Sequence, residues 1–129
     1  AGFSGGEEQV TNKITTFTNP ITLKMARREA FKMYLKPGFE DEYQRRHAAI
    51  WPELKKMLSD SGVRNYSIYW DKETNILFAY QEVEGDQGSQ DLGGNEVVQK
   101  WWDYMADIME VNPDNSPVSI PLDERFHMD

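Results

Sequence analysis

Two runs of alternating large side chains, Asn65–Trp70 and Ile76–Glu84, are joined by five polar residues, Asp71-Lys72-Glu73-Thr74-Asn75. So short a polar connection reads as the turn of a hairpin, and the two runs pair as antiparallel strands. The rest of the fold must be built around this central hairpin. Upstream, Phe31, Met33 and Leu35 alternate with Ala30, Lys32 and Tyr34, which is strand periodicity, and Pro37-Gly38 ends the run. From Glu40 to Ser59 the spacing turns helical, with Tyr43, His47, Ile50, Leu54 and Leu58 on one face and Gly62 closing the element. Pro52 interrupts this helix. It has no N–H to return to the carbonyl of Ala48, and it disfavours helical geometry at Trp51. A kink or break is expected just after His47. It is either an ordinary helix boundary or a source of a free carbonyl that orients the imidazole or meets a ligand.

Downstream of the hairpin, residues 85–94 form a polar loop rich in Gly and Gln. Asn95 is a plausible N-cap for a second helix running to about Met109, with Val97, Val98, Trp101, Trp102, Met105, Ile108 and Met109 as its apolar stripe. Asn112 to Pro117 is a turn-rich loop, and Val118 to Met128 reads as a last, partly extended strand. The order is β-α-β-β-α-β, the ferredoxin-like α+β pattern, with two helices on one face of an antiparallel sheet. Large apolar residues fall on both sheet faces. The uncovered face is expected to pack on the sheet of a second copy.

A chain of 129 residues, 39% hydrophobic and 12% aromatic, makes one domain with a real core. The formal net charge of −8 argues against nucleic acid, anionic membranes and polyphosphate substrates. Arg45 and Arg46 follow Glu40, Asp41 and Glu42 and read as a solvated helix face. With no cysteine, disulfides and thiolate catalysis are excluded. No apolar run is long enough to span a bilayer, and no secretory signal is visible, which points to the cytoplasm unless an export signal has been cleaved. Residues 1–24 are rich in Gly, Ser, Thr and Asn and read as a flexible leader or a remnant of expression.

His47 is one of two histidines and shares a helix face with Tyr43 and Trp51. An imidazole titrates near neutral pH and can exchange protons in mild chemistry. Aromatic rings make a floor for a small polar ring with an apolar face. The same stripe would also suit a plain buried core. His127, in the terminal strand, reads as structural, and turn chemistry alone explains Asp114-Asn115-Ser116. No His/Asp/Glu set stands at metal-ligand spacing, and there is no phosphate-cradling Gly loop or nucleophile elbow.

Four segments, EYQRRHAAIWPEL from Glu42, NYSIYWDKETNILFA from Asn65, QKWWDYMADIMEVNPDNSPV from Gln99 and REAFKMYLKPGFEDEY from Arg28, resemble the L-rhamnose mutarotases. These small enzymes interconvert the α and β anomers of a free sugar. The resemblance runs from about Met25 to the C-terminus, so residues 25–129 look like one mutarotase-like α+β domain. It implies a dimer of such domains, a dimeric α/β barrel made by sheet-to-sheet packing, and a monosaccharide partner, L-rhamnose, with no cofactor. It also implies that His47 is the catalytic histidine, the proton donor, and that Tyr43, Tyr66 and the pair Trp101-Trp102 bind the sugar. Adjacent helical residues point about 100° apart, so one of the two tryptophans is expected in the core and the other at the ligand. Opening a cyclic hemiacetal needs one group to protonate the ring oxygen and another to deprotonate the anomeric hydroxyl, and a histidine suits such work at neutral pH. Other dimeric α/β barrels are cofactor-free oxygenases or haem-degrading monooxygenases, in which His47 would be a haem ligand. A non-catalytic small-ligand-binding dimer is the third reading. The 85–94 loop carries no recognised family pattern. If it borders the site, sugar preference could be altered.

Overall fold

The computed structural model describes residues 26–129, so the expected leader, residues 1–24, lies outside the described residues. The elements are β1 (Arg27–Tyr34), α1 (Glu40–Ala48), α2 (Pro52–Asp60), β2 (Val63–Asp71), β3 (Ile76–Val83), α3 (Glu96–Met105) and β4 (Ile120–Leu122). The sheet order is β2-β3-β1-β4, with every neighbouring pair antiparallel. This is the expected ferredoxin-like α+β fold, with the first helix broken in two.

Local chemistry explains the boundaries. Ala49 leaves the helical region after α1, Trp51 is extended, and Pro52 stands at the first position of α2, where its missing N–H leaves no intrahelical bond unmade. Gly62 follows α2 with φ +95, a left-handed conformation that a side chain resists. A Cβ there would also lie 2.8 Å from the backbone nitrogen of Gly85, so the α2–β2 turn packs directly on the end of β3. In the hairpin turn, the Asp71 carboxylate accepts from the Glu73 N–H at 3.1 Å and the Thr74 hydroxyl at 2.6 Å, while Asn75 adopts φ +63. Asn95 caps α3 as expected, its Oδ1 accepting from the N–H groups of Val97 and Val98.

Two expected boundaries need correction. The second helix stops at Met105 rather than Met109. Ile108 and Met109 are buried, but Met109 bridges to Leu35 as extended chain, so the apolar periodicity outlasts the helix because the core does. The last strand is three residues, Ile120–Leu122, instead of the longer run from Val118. Pro121 at its centre cannot donate to a ladder, which fits a short edge strand.

The inner sheet face carries Phe31, Met33, Leu77 and Ala79, which join Leu54, Val98 and Met105 of the helices in one core cluster. The outer face carries Tyr69, Phe78, Ile120 and Leu122, all exposed, with Tyr69 68% accessible. Arg46 departs from the solvated-face reading. Its side chain is 10% exposed, and it donates to Glu42, to Asp107 and to the carbonyl of Tyr104, whose ring lies 4.5 Å below the guanidinium. It therefore ties α1 to the C-terminal end of α3. Arg45, paired with Glu42, stays exposed as expected.

Candidate active site

An open cavity of about 930 Å³ lies between the helices and the inner face of the sheet. That is within the usual range of small-molecule sites, about 300–1,000 Å³. His47, Tyr43, Tyr66, Trp101 and Trp102, named from the sequence as site candidates, all line it.

Tyr43 and His47 are one helical turn apart on α1, and their rings stack with centroids 4.3 Å apart and planes 28° off parallel. The Nδ1 of His47 lies 3.1 Å from the carbonyl oxygen of Tyr43. A carbonyl can only accept, so Nδ1 carries the proton and donates it. The break at Pro52 thus does not supply the orienting carbonyl. That group belongs to Tyr43, one turn earlier, while the carbonyl of His47 is taken by the N–H of Ile50. In the neutral ring this tautomer leaves the lone pair on Nε2. Burial pushes the imidazole pKa below its ordinary value of 6.5, and the bond to the Tyr43 carbonyl opposes this in part. The resting ring is neutral at pH 7.

Trp101 stands perpendicular to His47, with ring centroids 5.4 Å apart and planes at 89°, and Trp51 stands perpendicular to Trp101 at 5.1 Å. Trp51 also stacks on Tyr104. Trp102 points elsewhere. Its ring presses on the backbone of Gly93, where a Cβ would come within 2.9 Å of it. Both indoles are buried and both border the cavity, but only Trp101 has a ring contact with His47.

Tyr66 reaches the cavity through an irregularity in β2. Arg64 pairs with Glu82 and Ser67 pairs with Tyr80, so Asn65 and Tyr66 together stand opposite Gln81. Asn65 absorbs this bulge with φ +48 and sends its amide to Glu82. Tyr66 consequently falls on the inner face, against Phe31. Its phenol accepts from the Ser89 hydroxyl at 3.3 Å, and the Gln90 amide donates to that hydroxyl at 3.2 Å. Burial raises the pKa of Tyr66, with the bonds from Ser89 and Gln90 opposing. Burial, with the neighbouring Tyr66, raises that of Tyr43 further. Both phenols stay protonated at neutral pH.

Ser89 and Gln90 were not among the sequence candidates. They belong to the polar 85–94 loop, which does border the cavity. The unusual polarity of that loop was the available signal. His127 lies on the exposed C-terminal segment, paired with Asp129, and Asp114-Asn115-Ser116 forms a turn closed by bonds from Ser116 to the Asp114 carboxylate. Among the described residues no cluster of His, Asp and Glu could hold a metal, and no helix is long and apolar enough to cross a membrane.

A ferredoxin-like domain whose cavity joins a neutral imidazole, two phenols and an aromatic wall has the groups needed to take a small polar ligand and move a proton on it. The family model described as L-rhamnose mutarotase matches residues 28–128. The L-rhamnose mutarotase of Bacteroides thetaiotaomicron is 80% identical over 103 residues, covering 80% of this chain and 99% of that relative. That of Phocaeicola vulgatus is 78% identical over the same length, with the same coverage. The crystal structure of an L-rhamnose mutarotase from Formosa agariphila superimposes with a TM-score of 0.74 at 59% identity, covering 80% of this chain and 99% of that one. The chain belongs to the L-rhamnose mutarotase family.

Proposed function

We propose that this protein interconverts the α and β anomers of L-rhamnose, an isomerase reaction, with His47 as its main proton-transfer residue. The observation that carries the reading is the 3.1 Å contact of His47 Nδ1 with the Tyr43 carbonyl at the cavity wall, from which the tautomer follows. Its Nδ1 proton is committed to the Tyr43 carbonyl, and its Nε2 lone pair is free to act in the cavity. The neutral ring first removes the proton of the anomeric hydroxyl. The C1–O5 bond then breaks, C1 becomes the aldehyde carbon, and the imidazolium hands the same proton to the ring oxygen. After rotation about C1–C2, the C5 hydroxyl attacks the other face of the aldehyde and gives its proton back to the imidazole, and the imidazolium protonates the new anomeric oxygen, so His47 is the proton donor in both directions. Tyr43 and Tyr66 offer hydroxyl groups to the sugar, and Trp101 and Trp102 wall its apolar side. The uncatalysed reaction is already fairly fast, so positioned hydrogen bonds and one acid–base group suffice.

The working form is a homodimer packed through the outer sheet face. Tyr69, Phe78, Ile120 and Leu122 make that face apolar, and none of the helices among the described residues covers it. Membership of the family favours anomer exchange over haem or cofactor-free oxygenation and over a non-catalytic binding dimer. The test is saturation-transfer NMR on L-rhamnose with and without protein, run beside fucose, mannose and galactose. Exchange accelerated for L-rhamnose above the other sugars supports the assignment. Exchange at the uncatalysed rate overturns it.

A further inference from the structure

We propose that Ser89 and Gln90 are positioning residues that hold Tyr66 as a hydrogen-bond donor toward the sugar. The inference rests on the mutarotase reading of the cavity but concerns side chains which that reading does not use. Ser89 and Gln90 both donate toward the Tyr66 oxygen, and Gln90 also donates to Ser89. An amide nitrogen can only donate, so Gln90 Nε2 gives its proton to Ser89 Oγ at 3.2 Å. The serine hydroxyl in turn donates to the Tyr66 oxygen at 3.3 Å. A phenol oxygen that accepts from one side keeps its own proton for another partner, and Tyr66 borders the cavity. The phenol proton is thereby left for a sugar oxygen.

The loop is built to hold this arrangement. Ser89 is 5% exposed, which limits competition from water. Ser89–Asp91 is one turn of 3₁₀ helix, closed by the Gly88 N–H on the Asp91 carboxylate at 3.0 Å and the Asp91 N–H on the Gly88 carbonyl at 3.0 Å. Gly88 lies flush on the sheet. A Cβ there would meet Glu29 Oε1 at 2.5 Å and Gln81 Nε2 at 2.8 Å. The β2 bulge, which aims Tyr66, and this loop, which carries Ser89 and Gln90, thus meet at one hydroxyl.

The chain has a polarity that can be reversed. In Gln90→Glu the carboxylate accepts from Ser89, which then accepts from Tyr66, and the phenol presents a lone pair to the sugar. The experiment compares wild type, Ser89→Ala, Ser89→Thr and Gln90→Glu, each also made with Tyr66→Phe. Two readouts are taken: anomer exchange of L-rhamnose by NMR, and titration of Tyr66 followed at its ¹³C-labelled ζ carbon. Losing one hydrogen bond of this kind corresponds to about 2- to 10-fold. Ser89→Ala and Gln90→Glu are expected to lower exchange by about that factor, mainly through KM. Ser89→Thr should keep it, and neither loss should persist with Tyr66→Phe. Removing a donor from the phenolate must raise the Tyr66 pKa in Ser89→Ala. Unchanged Tyr66 titration in Ser89→Ala overturns the proposal whatever the enzyme does. Full losses that persist with Tyr66→Phe also overturn it, since they would not pass through Tyr66. If wild type fails to exchange L-rhamnose while Tyr66 titration shifts as stated, the mutarotase reading falls and the positioning chain stands.

Discussion

Replacing His47 by Gln or Asn separates its chemistry from its packing. The imidazole is held by a stack on Tyr43 and an edge contact with Trp101. Aromatic pairs contribute about 0.5–1.5 kcal/mol each, so loss of both costs roughly 1–3 kcal/mol of stability. At about 4–8 °C per kcal/mol for a domain of this size, the variant melts lower but is folded at room temperature. The kinetic loss should be larger. A positioned acid–base group supplies about 10²- to 10⁴-fold, or roughly 2.7–5.4 kcal/mol of barrier at 1.36 per factor of ten. Anomer exchange by NMR measures this directly. The wild-type rate should fall in acid, as Nε2 is protonated through a pKa below 6.5. The residual rate of the variant should lack that step. Stability carries the same signature. The folded-state pKa is depressed, so the unfolded chain binds more protons as pH falls. The stabilisation is complete above 6.5 and is lost as pH drops through the folded value, in wild type and not in the variant. A folded His47 variant with near wild-type exchange and an unchanged pH profile would refute the assignment.

Trp101→Ala and Trp102→Ala should each cost about 3–5 kcal/mol in urea denaturation, since both rings are buried. Only Trp101→Ala should also slow exchange beyond its effect on sugar binding, because only Trp101 contacts His47; equal kinetic losses would contradict this. Gly62→Ala should destabilise by more than the roughly 1–2 kcal/mol of a left-handed alanine, whereas Gly38→Ala, with φ +86 but open space around it, should cost only that amount. Equal denaturation midpoints for these two variants would discredit the close approach at Gly85. Phe78→Glu should convert the dimer to a monomer by light scattering at micromolar concentration, and a wild-type protein that is already monomeric would remove the sheet-packing proposal.

The order of elements was legible because its punctuation is local. Pro37-Gly38, Pro52, Gly62, the Asp71–Asn75 turn and Asn95 each act within a few residues, and each boundary falls where they put it. The C-terminal third was less legible. The stripe Met105, Ile108, Met109 keeps helical spacing although the helix has ended, because burial against β1 selects apolar residues whatever the backbone does. The five site candidates came from the family pattern and from aromatics at helical spacing, and the fold gathers them in one cavity. Spacing could not show the aim of Tyr66, which depends on a bulge that shifts its strand by one residue. Nor could it show Ser89 and Gln90. They look like any polar loop until Tyr66 is brought against them. Arg46 looked solvated for a similar reason: its partners Tyr104 and Asp107 arrive from the end of α3 and the turn that follows it.

The end of α1 has an electrical consequence for turnover. Aligned peptide dipoles leave a partial negative charge at a helix C-terminus. His47 is the penultimate residue of α1, and the chain turns away at Ala49. On the proposed mechanism, the imidazolium of each cycle develops where the helix favours a cation, by about 0.3–1 kcal/mol. Burial outweighs this at rest and keeps the ring neutral, yet the helix end brings the charged form within reach. Pro52, which touches no proton in the reaction, thus helps set how readily His47 gains and releases one.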